Sequence, residues 1–185
     1  MYKRQDQKVK ALVNRGIRYG QQQDVEKEIV DYSVVIEMSD APADQKAKAL
    51  FNRGITYGQQ QDVEKEIADY SAVIKMNDAP ADQKAKALFN RGITYGQQQD
   101  FERAIADYSV VIKMSDAPAD QKAKALLYRG ITYGQQQDFE RAIADYSVVI
   151  KMSDAPADQK AMALFNRGIT SVSYTHLTLP TICSV

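Results

Sequence analysis

Residues 47–84 read AKALFNRGITYGQQQDVEKEIADYSAVIKMNDAPADQK, and the same string returns, lightly edited, along nearly the whole chain. The tetrapeptide NRGI recurs at Asn14, Asn52, Asn90 and Asn166, with Tyr128 taking the place of asparagine once. The glycines that follow fall at Gly16, Gly54, Gly92, Gly130 and Gly168, a step of 38 residues without insertion or deletion. A fixed period of about 20 to 50 residues is the signature of stacked structural units, each too small to bury its apolar face alone.

Within one unit the apolar residues follow a helical period and do not alternate. Leu50, Gly54 and Tyr57 fall at i, i+4 and i+7; Val63, Ile67, Tyr70, Val73 and Ile74 recur at three- and four-residue spacing. The two runs are separated by Gln59-Gln60-Gln61, and Asp62 is suited to cap the second helix. Glu64 follows in its first turn, where the helix dipole favours a negative charge. Proline is tolerated in a first helical turn and not in a helix interior, so Pro42, Pro80, Pro118 and Pro156 mark the start of each first helix. The spacing predicts a helix A over about 41–59 and a helix B over about 62–76, repeated every 38 residues, with no strand.

The order small–x–x–x–Gly–x–x–Tyr, a short turn with Asp, and then AIADYS–x–Val–Ile resembles the tetratricopeptide repeat. The best matches are ALFNRGITYGQQQDFERAIADYSVVI at 87–112 and its neighbour at 125–150. The resemblance implies an all-α fold, a right-handed α-solenoid of stacked helix–turn–helix repeats whose A helices line the concave face. It places Leu88, Gly92, Tyr95, Ala104, Tyr108 and Val111 at the family's packing positions. Three departures stand out. The unit is 38 residues against about 34 in the family. The leucine usual before the glycine is arginine, at Arg15, Arg53, Arg91, Arg129 and Arg167. The small residue expected in helix B is Glu28 and Glu66 in the first two repeats, against Ala104 and Ala142 later. A buried unpaired carboxylate is costly, so Glu28 and Glu66 are expected to pair with a nearby arginine or to reach solvent.

The two ends break the pattern. Register predicts tyrosine at 171, by analogy with Tyr133; instead Ser171 is followed by VSYTHLTLPT, residues 172–181. That string resembles a translation of the adapter used in transposase-based sequencing libraries, and Tyr2-Lys3-Arg4-Gln5 resembles the opposite adapter strand. On this reading residues 1–5 and 171–185 are non-native. The array then runs over 6–170, with repeats at about 6–42, 43–80, 81–118 and 119–156 and a partial one at 157–170.

Composition narrows function. The single histidine, His176, and the single cysteine, Cys183, lie in that tail. The array therefore lacks the usual general base, thiol nucleophile and soft metal ligands. No catalytic residue, metal site or cofactor is assigned: a catalytic pair needs a unique site, and near-identical units do not supply one. Formal net charge is zero, or −2 without Lys3 and Arg4, where a nucleic-acid binder would show a basic stripe. No apolar run approaches a membrane span. The compartment is undetermined, with the cytoplasm as default.

A non-catalytic scaffold for an extended peptide or partner protein is the expected function, with no nucleic acid and no small-molecule substrate. The candidate contacts are the row Asn14, Asn52, Asn90, Tyr128 and Asn166. A carboxamide carries donor and acceptor and can bond one peptide unit through both; in the family, asparagine at this position often holds a peptide backbone. Lys10, Lys48, Lys86 and Lys124 sit one turn earlier on the same face, suited to an acidic segment or C-terminal carboxylate. For both sets a merely solvated polar surface is the competing reading. Val13, Phe51, Phe89, Leu127 and Phe165, beside the row, fit either ligand pockets or internal packing. The tyrosines of both helices are expected in the core. A structural, self-assembling segment and a fragment of a larger regulatory or enzymatic protein are the alternative functions.

Overall fold

The computed structural model describes the backbone of residues 2–182 and the side chains of residues 5–176. Among the described residues there are helices and no strand: α1 (Tyr2–Gln21), α2 (Val25–Glu37), α3 (Ala43–Gln59), α4 (Val63–Lys75), α5 (Ala81–Gln97), α6 (Phe101–Lys113), α7 (Ala119–Gln135), α8 (Phe139–Lys151) and α9 (Ala157–Ile182). Odd-numbered helices are A helices and even-numbered ones B helices; α1 to α8 lie within two residues of the expected bounds, whereas α9 continues to Ile182, beyond the end that the repeat gives. The sequence-based expectation for the chain ends falls partly on residues 1 and 183–185, Cys183 among them, which lie outside the described residues.

The chain forms two compact units, Met1–Arg91 and Gly92–Val185, divided inside α5. In the first, α1 packs on α2, α2 on α3 and α3 on α4; in the second, α6 packs on α7, α7 on α8 and α8 on α9. Successive A helices also touch, α1 with α3 and α7 with α9. This is the stacking that the period requires.

The glutamine triplet closes α1, α3, α5 and α7. Asp62 N–H donates to Tyr57 O at 2.9 Å and Gln61 N–H to Gly58 O at 3.0 Å, the paired bonds of a Schellman ending. The motif needs a left-handed residue, and Gln61 supplies it at φ 62, as do Gln23, Gln99 and Gln137. A side chain there costs on the order of 1 kcal/mol relative to glycine. The next residue opens helix B: Asp62 accepts from Lys65 N–H at 3.3 Å and from its Nζ at 2.6 Å. The Lys65 ammonium holds the Asp62 carboxyl below its usual range. One residue thus both finishes α3 and begins α4, which fixes the hairpin.

The core of each hairpin is a tyrosine laid over a glycine. A Cβ added at Gly16, Gly54, Gly92 or Gly130 would come within 2.6 to 2.8 Å of the ring of Tyr32, Tyr70, Tyr108 or Tyr146. Those four rings are almost fully buried. Around them gather small and branched residues, such as Ala47, Leu50, Val73, Ala79 and Ala87 about Tyr70, and Leu126, Leu127, Ala142 and Val149 about Tyr146. Leu88, Tyr95, Ala104, Tyr108 and Val111 are all buried, as the resemblance implied. Tyr19 and Tyr57 depart from expectation: they are half-buried. Each is flanked by two cations, Arg15 and Lys27 for Tyr19 and Arg53 and Lys65 for Tyr57, at 5.2 to 5.9 Å from the ring centre. In α9 the residues equivalent to buried Leu126 and Leu127 are exposed, Leu164 at 50% and Phe165 at 69%.

The arginine that replaces the family's leucine has a definite task. Arg53 Nε and Nη2 bond the two oxygens of Asp69, each at 2.8 Å, while Nη1 reaches Ser33 Oγ at 2.7 Å. Arg129 repeats the pattern with Asp145 and Ser109, and Arg15 clamps Asp31 at 2.7 Å. The arginine therefore joins its own B helix to the preceding one through a planar, bidentate fork. Asp31, Asp69 and Asp145 are all buried. Removing one partner of such a pair leaves an uncompensated buried charge. Arg53→Leu is expected to destabilise the chain by about 3 kcal/mol in urea denaturation, and the double variant Arg53→Leu/Asp69→Ala to recover most of that loss.

Candidate functional site

The proposed contact row lies along the A helices beside the buried tyrosines. Asn14 is exposed; Asn52, Asn90, Tyr128 and Asn166 are half-buried, because each of the latter follows a B helix against which it rests. Asn90 Nδ2 donates to Tyr70 Oη at 3.5 Å. Asn52 stands in the same relation to Tyr32, whose hydroxyl faces both the Asn52 amide and the Glu28 carboxylate. Tyr128, in the asparagine position, instead sets its ring against Tyr108 with centroids 6.3 Å apart. At Tyr146 the hydroxyl meets Thr170. Asn52 and Asn90 are thus attached to the core through tyrosine hydroxyls, a connection that sequence reasoning missed. A carboxamide bonded once keeps further donor and acceptor capacity for a ligand.

The lysines are less uniform. Lys10, Lys86 and Lys124 pair with the aspartate four residues earlier, at 2.8, 3.2 and 3.7 Å. Exposed pairs of this kind are worth little and exchange readily. Lys48 makes no such pair, Asp44 instead accepting from Gln45 at 2.9 Å.

Two pockets open beside the row. In the first unit, a cavity of about 340 Å³ is framed by Gly20 of α1, Glu28 and Tyr32 of α2, and Lys48, Asn52 and Thr56 of α3, with Ile17 and Ile55 as apolar walls. In the second unit, a cavity of about 310 Å³ is framed by Gly134, Phe139, Tyr146, Asn166 and Thr170, with Ile131 and Ile169. Thr56 is held in place by its bond to Asn52 O at 3.0 Å. Val13 and Leu127, by contrast, are fully enclosed and Phe51 rests on Tyr70 with centroids 5.7 Å apart. These three residues are internal packing.

Glu28 corrects an expectation. It neither reaches solvent, being 8% exposed, nor pairs with an arginine, since Arg15 is committed to Asp31. It lies against Gly20, where an added Cβ would come 2.7 Å from its Oε1, and faces the Tyr32 hydroxyl. Burial, and then the Glu28 charge, push the Tyr32 phenol above its usual range. Tyr146, with Ala142 in the glutamate's position, is pushed up to about 12, mainly by burial. Glu66 faces Tyr70 in the same way and lies against Gly58. The glycine is common to all four repeats, at Gly20, Gly58, Gly96 and Gly134, and only the glutamate sets the first two apart.

Among the described residues no group of three or more His, Cys, Asp or Glu side chains is placed to hold a metal ion. No helix among them is long and apolar enough to cross a membrane.

Tetratricopeptide-repeat family models match residues 47–80 and 89–161, together more than half of the chain. No curated protein matches it. Among solved structures it is similar to a tetratricopeptide repeat protein from Parabacteroides merdae ATCC 43184, with a TM-score of 0.66 and 17% identity, over 96% of this chain and 68% of that one. At that identity the likeness bears on the fold alone, an all-α solenoid of helical repeats.

The tyrosine hydroxyl is the link between row and core. Tyr32→Phe removes it while keeping the ring over Gly16. The variant is expected to lose about 1–2 kcal/mol in urea denaturation, the cost of leaving buried polar neighbours less well satisfied, whereas Tyr19→Phe, at a half-buried ring, is expected to change little.

Proposed function

Because the chain belongs to the tetratricopeptide-repeat family, whose repeats generally mediate protein–protein interaction, we propose that it is a non-catalytic scaffold holding an extended peptide segment along its A helices. In this reading Asn14, Asn52, Asn90 and Asn166 bond the main chain of the ligand, and Tyr128 interrupts the row with a stacking surface. Lys10, Lys48, Lys86 and Lys124 attract acidic groups. The proposal assigns no role to nucleic acid, a small-molecule substrate or a cofactor, and it takes the array as residues 6–170.

The observation that carries it is the cavity of about 340 Å³ framed by Asn52 and Lys48. That volume falls in the range of pockets that accept a ligand group, and both candidate side chains border it. Spacing supports the row. Packed helices lie about 8–10 Å apart and an extended peptide rises about 3.3 Å per residue. One asparagine therefore meets roughly every third ligand residue, with the side chains between free to enter pockets. The near identity of the units fits an extended ligand better than a single compact one, because each unit offers the same contacts.

The test uses a fluorescein-labelled extended peptide selected on the full chain from a random display library. Asn52→Ala/Asn90→Ala is expected to weaken its binding about tenfold, two lost hydrogen bonds at roughly 0.5–1.5 kcal/mol each. Unchanged affinity in a folded double variant removes the asparagine mechanism. Competition by a second peptide of unrelated composition but equal length checks that the site reads the main chain.

A further inference from the structure

We propose that the Glu28 pocket of the first unit selects a cationic side chain, arginine or lysine, of the bound peptide. The inference rests on the peptide-binding reading above and adds to it the charge of one ligand residue.

The carboxylate itself is the first reason. Glu28 is 8% exposed and has no ion-pair partner among the described residues. Taking a carboxylate out of water without a counter-ion is expensive. Evolution or duplication had a cheap alternative available, since alanine occupies the same position at Ala104 and Ala142. The nearest arginine in sequence logic, Arg15, is already held by both oxygens of Asp31 at 2.7 Å. The charge is therefore left for something outside the chain to neutralise.

The cavity in front of it is the second reason. Glu28 lines the cavity of about 340 Å³ together with Ile17 and Ile55. A lysine or arginine stem is apolar and its head is charged. Isoleucine walls leading to a carboxylate match that order. An ionised carboxylate accepts at about four lone-pair positions, so its approach to the Tyr32 hydroxyl leaves room for a guanidinium fork or an ammonium. Asn52, at the same pocket, is placed to bond the main chain of the residue whose side chain enters.

The contrast within the chain is the third. The corresponding cavity of the second unit, about 310 Å³, has no acidic lining residue: Ala142 stands where Glu28 does, and Phe139 enters the wall. Nothing lies within 4 Å of a Cβ built at Gly134, whereas at Gly20 the glutamate occupies that space. Two pockets of similar size thus differ chiefly in their charged lining, Glu28 with Lys48 in the first and no charged residue in the second, where Phe139 adds apolar surface. Lys48 borders the acidic one without pairing with Glu28, and its long flexible stem lets it swing toward solvent when a cation enters.

The experiment removes the peptide main chain from the question. N-acetyl-arginine N-methylamide and its neutral isostere, the citrulline compound, are titrated into the full chain and followed by ligand-observed NMR. A Glu66→Ala background leaves Glu28 as the one glutamate of its kind. The arginine compound is expected to bind about tenfold more tightly than the citrulline one, a ratio typical of one good charge pair. That preference is expected to vanish in Glu28→Ala, which installs the residue that later repeats carry, and in the isosteric Glu28→Gln. Equal binding of the two compounds, no binding of either, or a preference that survives both substitutions overturns the proposal. Loss of peptide binding with the arginine preference intact would instead count against the peptide-binding reading alone.

Discussion

The whole array depends on one contact, the ring of a B-helix tyrosine lying on the backbone of an A-helix glycine. At Gly54 the Tyr70 ring sits where a Cβ would need to be, 2.8 Å away. Close approach of this kind sets the distance between the two helices of a hairpin. That distance in turn decides which residues meet: Arg53 reaches Asp69, and Asn90 comes to the Tyr70 hydroxyl. Glycine is normally a poor residue inside a helix, weaker than alanine by about 0.5–1 kcal/mol. Its presence at Gly16, Gly54, Gly92 and Gly130 is explained by the tyrosine ring that stands over each.

The polar contacts are built on that apolar frame. The Arg53 and Arg129 forks each span their own B helix and the serine of the preceding one, so within each compact unit adjacent repeats are joined by directional bonds as well as by shared burial. A stack held by hydrophobic contact alone tolerates sliding, whereas a bidentate bond fixes register. The asparagine row inherits this order. Asn52 and Asn90 are anchored at the Tyr32 and Tyr70 hydroxyls, and under the proposed function that order lowers the entropy lost on taking a ligand. Glu28 belongs to the same network but is left with its charge unmatched.

Much of the fold was legible from periodicity. The 38-residue step, the aspartate after the glutamines and the prolines gave the bounds of α1 to α8 to within two residues, because each acts through its own local backbone. The glycine–tyrosine pairing was also within reach, both being residues of the repeat's packing pattern. The arginine fork was not. Arg53 was visible only as a departure from leucine, although Asp69 sixteen residues on and Ser33 twenty residues back recur with it in other units. Those separations acquire meaning only once the hairpin register is known. For the same reason Glu28 was assigned the wrong kind of partner, and the half-exposure of Tyr19 and Tyr57 was missed, since both depend on which cations the neighbouring turn delivers. Of the candidate site, the row of asparagines was readable; its tie to the core and the pocket beside it were not, because they arise between helices far apart in sequence.

The most direct test of this account is the stability of Gly54→Ala in urea. Replacing a helical glycine by alanine ordinarily stabilises a protein by about 0.4–1 kcal/mol. If the Tyr70 ring holds the hairpin together as described, the added methyl meets it and the variant should be less stable by about 1–3 kcal/mol, the usual cost of overpacking. A gain in stability would contradict the account, because the helices would then not be seated on that contact.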